Sequence, residues 1–142
     1  MDIHDLPKEA LFSLLLQVDP KEIKIVCLSK IRKVREICNS EYFRETYKQK
    51  YRKVVFRGRK DLTEKDFQSL VGVYSVDLSE TNIKDEDLKY LEGVSIINLS
   101  VTKVTDAGMK YLKGVNTIDL SGTKVTDLGL KYLRSTGTEN FL

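Results

Sequence analysis

The feature that most constrains this chain is a phrase it repeats at a fixed interval. Asp77 to Asp85 reads DLSETNIKD, Asn98 to Asp106 reads NLSVTKVTD, and Asp119 to Asp127 reads DLSGTKVTD, each 21 residues after the last. Aligned on that period, Val73, Val94 and Val115 superpose, as do Val76, Ile97 and Ile118; Leu78, Leu99 and Leu120; Ile83, Val104 and Val125; and Tyr90, Tyr111 and Tyr132. Self-similarity at a period of 20 to 50 residues marks an array of supersecondary units that bury their apolar positions only by stacking on one another. The units are 73–93, 94–114 and 115–135, preceded by a degenerate one at about 52–72 that keeps Leu62-Thr63-Glu64, Phe67, Leu70 and Gly72 and reads as an N-terminal cap.

Within a unit, alternating apolar residues predict a short strand, and the 12 or so residues that follow predict a loop and a brief helical return. Thr81, Thr102 and Thr123 fall where the loop turns inward. A buried hydroxyl without a partner costs about 1–3 kcal/mol, so these threonines are expected to bond nearby backbone as a structural ladder. Asp85, Asp106 and Asp127 are expected to cap the return helices, and Gly93 and Gly114 to end them. Their regular recurrence reads as punctuation rather than acid–base or metal chemistry. Strand alternation turns the residues flanking Val76, Ile97 and Ile118 to the concave face: Ser75, Asp77 and Ser79; Ile96, Asn98 and Ser100; Thr117, Asp119 and Ser121. That surface is small, polar and mildly acidic in its middle column, which suits a basic or hydrogen-bonding partner.

Residues 1–51 follow a different grammar. Leu11, Leu14, Leu15 and Val18 recur at helical spacing after Asp5-Leu6-Pro7, and Pro is tolerated near a first helical turn. Asp19-Pro20-Lys21-Glu22 reads as a capping-box start to a second helix with Ile23, Val26 and Cys27 as its stripe. A third helix is expected from near Ser29 through Val34 to Ile37, and a fourth from the cap Ser40 through Tyr42, Phe43 and Tyr47. Cys27 and Cys38 are expected to be two buried thiols rather than a disulfide.

Composition narrows the function. The chain has 142 residues, 41% of them hydrophobic and 32% charged, as in ordinary globular domains. No stretch reaches the roughly 18 to 20 apolar residues of a membrane span, and acids stand where a signal peptide carries bases, so a cytosolic or nuclear protein is expected. With His4 the one histidine, a structural zinc site has no ligand set. No nucleophile–base pair or phosphate-cradling glycine loop points to an enzyme or a cofactor. Arg44, Lys48, Lys50, Arg52, Lys53, Arg57, Arg59 and Lys60 concentrate positive charge against Glu45 alone. Such a cluster can track nucleic-acid phosphates, but a solvated helix face with a linker explains it too, and with no recognition helix, zinc finger or RNA-binding motif elsewhere a nucleic-acid partner is not expected.

Two resemblances sharpen this reading. VSIINLSVTKV fits the leucine-rich-repeat pattern through Val94, Ile97, Leu99 and Val104, with Thr102 where the pattern has Asn or Cys, and the match recurs over residues 54–135. The N-terminal segment resembles an F-box: Leu6, Pro7 and Glu9; Asp19, Pro20, Lys21, Glu22 and Ile23; Leu28, Ser29 and Lys30; and Phe43 stand at its motif positions. The tryptophans frequent in that family are replaced by Lys33 or Val34 and by Arg44. ICNSEYF is similar to F-boxes of giant DNA viruses of amoebae, which would place the protein in a host cell.

Together the resemblances imply an α/β chain: a small F-box helical bundle, 1–51, followed by a short leucine-rich-repeat solenoid, 52–142, with a parallel β-sheet on its concave face. They imply a non-catalytic adaptor whose F-box binds Skp1, and through it a cullin-RING ubiquitin ligase, and whose repeats hold a target protein. By motif position Leu6, Pro7, Leu11, Leu14, Leu15, Ile23 and Val26 are the adaptor-facing surface or the core directly behind it. The alternatives are an interaction module that never meets Skp1, a decoy that occupies Skp1 without ubiquitination, and a nucleic-acid binder. Phe141 and Leu142 are candidates to cover the last unit.

Overall fold

The computed structural model describes residues 5–134 and 140–141, with side chains described for 5–133. The chain divides into two compact units, Met1–Tyr51 and Arg52–Leu142.

The first unit is helical: α1 Lys8–Leu15, α2 Ile23–Cys27, α3 Arg32–Asn39 and α4 Glu41–Lys50. Its core is Leu11, Leu15, Val34, Ile37, Cys38 and Phe43. Ser40 caps α4 as its sequence position predicts, accepting from the Phe43 N–H at 3.2 Å. Tyr47 of α4 and Tyr51, which follows that helix, then tie down carbonyls in the stretch just after α1. Tyr47 donates to the Val18 carbonyl at 2.7 Å, and Tyr51 donates to the Leu16 carbonyl at 2.9 Å.

Three local expectations are corrected here. Asp19 does not open a helix at Pro20; its carboxylate accepts from the Lys21 N–H at 2.8 Å and makes a turn, and α2 begins only at Ile23. The third helix starts at Arg32 rather than near Ser29, whose hydroxyl accepts from the Ile31 N–H at 3.3 Å. Cys27 and Cys38 are a disulfide, not two free thiols: the packing of α2 on α3 brings their Cα atoms to 5.7 Å, within bridging range.

The second unit is the stacked array. Strands β1 Lys53–Val55, β2 Ser75–Asp77, β3 Ile96–Asn98, β4 Thr117–Asp119 and the two-residue β5 Asn140–Phe141 form one parallel sheet in chain order. The register places Lys53, Ser75, Ile96 and Thr117 in one row and, for β1 to β3, Val55, Asp77 and Asn98 in the next, with Asn98 opposite Asp119. Each strand returns through a short helical stretch: α5 Glu64–Gln68, the 3₁₀ segments Asp85–Leu91 and Asp106–Leu112, and α6 Asp127–Arg134. Val76, Leu78, Ile83, Leu88, Leu91, Ile97, Leu99, Val104, Met109, Leu112 and Ile118 are buried between sheet and returns. Leu120 and Val125, expected in the core, are half-buried against it. The expectation about the Phe141 and Leu142 side chains lies outside the described residues.

The threonines bond backbone as expected, Thr81 and Thr102 buried and Thr123 half-buried. Thr81, Thr102 and Thr123 donate to the carbonyls of Leu78, Leu99 and Leu120 at 2.7, 2.7 and 2.6 Å, each closing its own loop. Gly93 and Gly114 follow the two 3₁₀ segments at φ of +84° and +83°, the left-handed stop that the sequence implied.

The aspartates do not cap their own returns. Asp85 reaches into the next unit and accepts from the Thr105 N–H at 2.8 Å and its hydroxyl at 2.6 Å. Asp106 does the same to Thr126, accepting from the N–H at 2.7 Å and from the hydroxyl. Asp127 stands at the same register in the first turn of α6. Capping inside the earlier units falls instead to the third helical position: Asp66 accepts from the Thr63 N–H at 2.8 Å, and Asp87 from the Lys84 N–H at 3.1 Å. In the later units that position is Gly108 or Gly129. A Cβ on Gly108 would lie 2.8 Å from an Asp85 carboxylate oxygen, and one on Gly129 would lie 2.4 Å from that of Asp106. Glycine therefore makes room for the neighbour's aspartate.

Candidate protein-interaction surfaces

In the helical unit, Leu11 and Leu15 are core, while Leu6, Ile23 and Val26 are half-buried against it. Of the seven residues singled out from the motif, Pro7 and Leu14 face outward, Leu14 with 55% of its surface exposed. Sequence reasoning missed Ile25 and Leu28, which are 73% and 81% exposed. The five-residue α2 has room for a single inward stripe, so the apolar residues off that stripe are turned to solvent. Ile25 and Leu28 are both apolar residues out of phase with Ile23, Val26 and Cys27, which is the signal the sequence offers.

Lys33 donates to the Leu6 carbonyl at 3.3 Å, and Val34 is buried. Lysine thus fixes the chain just ahead of Pro7. Beside it, a depression of about 580 Å³ is lined by Lys8, Phe12, Glu36, Ile37, Ser40 and Tyr42. Lys8 and Glu36 pair at 2.9 Å, and hydrogen bonding to Lys8 holds the Glu36 carboxyl below the ordinary carboxylate value. Phe12 and Tyr42 stack at 5.5 Å.

In the repeat unit, the uncovered side of the sheet forms a shallow groove of about 260 Å³. Ser75, Asp77, Ile96, Asn98, Thr117 and Asp119 all line it, joined by Lys53 and Val55 of β1. The third expected column does not. Strands of three residues end before Ser79, Ser100 and Ser121, and the turn that follows uses their hydroxyls. Ser79 is 3% exposed and donates to Asp77 at 2.6 Å; Ser100 donates to Asn98 at 2.7 Å; Ser121 donates to Asp119 at 2.6 Å. Backbone N–H groups of the same serines bond the same oxygens at 3.0, 2.9 and 2.9 Å. Ser79 is therefore corrected from a partner-facing residue to a buried one, while Ser100 is half-buried and Ser121 exposed, each hydroxyl engaged in its own turn.

The basic stretch is divided. Arg44, Lys48 and Lys50 lie on α4, while Arg52 to Lys60 belong to the repeat unit. Several are engaged locally: Arg44 donates to the Asn39 carbonyl, Arg52 to the Ser69 carbonyl, Arg57 pairs with Glu80 at 3.2 Å, and Arg59 pairs with Asp61 at 3.3 Å. Among the described residues no cluster of histidine, cysteine or acidic side chains could hold a metal ion, and no helix is long and apolar enough to cross a membrane. Comparison with family models and with curated proteins finds no match to this chain.

Proposed function

We propose that the protein is a substrate-receptor adaptor: an F-box-like helical unit that docks on a Skp1-type adaptor, and a leucine-rich-repeat solenoid that holds a target protein for a cullin-RING ubiquitin ligase. One observation carries the reading. Each unit has its own buried core and leaves a different face uncovered, with Leu14, Ile25 and Leu28 exposed on the helices and a groove along the sheet of the repeats. Two uncovered faces suit a bridging role, and the F-box and repeat motifs name the two things bridged.

Affinity purification of the intact chain from cells that contain Skp1 and cullin tests this. Recovery of both, together with a protein whose half-life lengthens when the repeats are disabled, is the expected result. A folded chain that recovers no Skp1 leaves the stand-alone interaction module. Recovery of Skp1 with no protein's half-life altered leaves the decoy.

A further inference from the structure

The geometry points to an extended target segment with two basic side chains as the occupant of the sheet face, an inference that rests on the receptor reading above. The middle row of the face is Val55, Asp77, Asn98 and Asp119, one residue per strand. At position Asn98, a neutral amide does the structural work that carboxylates do on either side, accepting from the Ser100 N–H and hydroxyl at 2.9 and 2.7 Å. The turn therefore needs one oxygen and no charge. Asp77 and Asp119 nonetheless carry charge, and in each only one oxygen takes part in the turn. Among the described residues neither forms an ion pair. Two negative charges that the fold does not use thus line the groove about 10 Å apart, two strand spacings of about 4.8 Å.

The rest of the face selects among cationic partners. Val55 is 70% exposed at one end of the row, and Ile96 lies in the neighbouring row between Ser75 and Thr117. Lys53 adds a positive charge on β1 alone, so the groove is positive at its β1 end and negative from β2 to β4. An extended segment crossing the strands meets this pattern with two arginine or lysine side chains, two residues apart on one side of the segment, on Asp77 and Asp119. Arginine stems are long enough to bring same-side residues, about 6.6–7 Å apart in an extended chain, to carboxylates at that separation. The turn hydrogen bonds hold both carboxylates in place beforehand, which lowers the ordering cost of binding. Lys53 repels a basic residue at the β1 end.

The probe is a fluorescein-labelled nine-residue peptide with two arginines separated by one alanine, titrated by anisotropy against the intact chain at low salt. A second peptide carries glutamates in place of the arginines. Saturable binding of the arginine peptide alone is expected, weakened at least tenfold by Asp77→Asn with Asp119→Asn and strengthened by Asn98→Asp. Circular dichroism reports whether each variant folds, and Asn98 is the precedent that the double variant does. No binding of the arginine peptide, equal binding by the double variant, or equal binding of the glutamate peptide overturns the inference. So does a self-association of the chain, seen by sedimentation, that the double variant abolishes, because the occupant is then a second copy. Recovery of Skp1 is measured on the same samples: its loss from the unsubstituted chain counts against the adaptor reading, whereas loss of the arginine preference alone leaves that reading standing.

Discussion

Val101 sits in the left-handed region at φ +56°, and it occupies the same place in its unit as Glu80 at φ +58° and Gly122 at φ +70°. A β-branched side chain there crowds its own carbonyl, at roughly 1–2 kcal/mol for an L-residue, while glycine adopts the angle freely and loses some of the gain to its flexible unfolded state. Val101→Gly is therefore expected to stabilise the chain by about 1 kcal/mol, read as a higher urea midpoint with an unchanged slope; an unchanged or lower midpoint would show that the exposed isopropyl group does other work. Asp106 offers a second test at this scale. Hydrogen bonds from the Thr126 hydroxyl and N–H, and from the Gly129 N–H, hold its carboxyl below the ordinary value of 3.8. A depressed folded value means that the ionised form is favoured in the folded state, so its contribution is complete above the unfolded value. It disappears as pH falls from about 4 through the lowered folded value. In melts from pH 6 to pH 2, the gap between the native chain and Asp106→Asn should be widest near neutrality and close below pH 4. A gap that stays constant would mean that the ionised carboxylate is not what joins the units.

At the scale of elements, Asp85 and Asp106 each tie one repeat to the next, and Gly108 and Gly129 leave room for them. A Cβ at position 129 would meet the Asp106 oxygen at 2.4 Å, Met109 Cγ at 2.9 Å and Val125 Cγ1 at 3.0 Å. Gly129→Ala is thus expected to destabilise the chain by about 1–3 kcal/mol by overpacking, despite alanine's better helix propensity. A urea titration that finds it neutral or stabilising would show that the last return shifts freely away from its neighbour. The period made the strands, their order and the inward threonines legible, because each follows from what one unit must bury. Asp85 and Asp106 were misread because capping logic looks three residues ahead, whereas their partners, Thr105 and Thr126, are 20 residues on. Local spacing could not show which thiols meet, since the Cys27–Cys38 bridge depends on how α2 lies against α3. Ser79, Ser100 and Ser121 fall past the strand ends because each strand is three residues long, a boundary that alternation alone does not set.

For the molecule as a whole, the division at Tyr51 and Arg52 separates two buried cores, so a surface change in one unit should leave the core of the other intact. Leu14, Ile25 and Leu28 are exposed by more than half, and solvated positions of this kind usually tolerate substitution within about 0.5 kcal/mol. Replacing all three by glutamate is therefore expected to leave the melting temperature nearly unchanged. On the adaptor reading, the same change introduces three charges into an interface that must shed water, and a charge buried without a partner is strongly unfavourable. Capture of Skp1 should then weaken at least tenfold, about 1.4 kcal/mol or more, while anisotropy with the arginine peptide stays as it was. Leu11→Glu is the contrasting variant: it places a charge in the helical core and should unfold that unit, losing Skp1 by a different route that circular dichroism distinguishes. If the exposed triple variant keeps its fold and captures Skp1 with native affinity, then Leu14, Ile25 and Leu28 do not form the contact, and the depression between Lys8 and Tyr42 becomes the next face to alter.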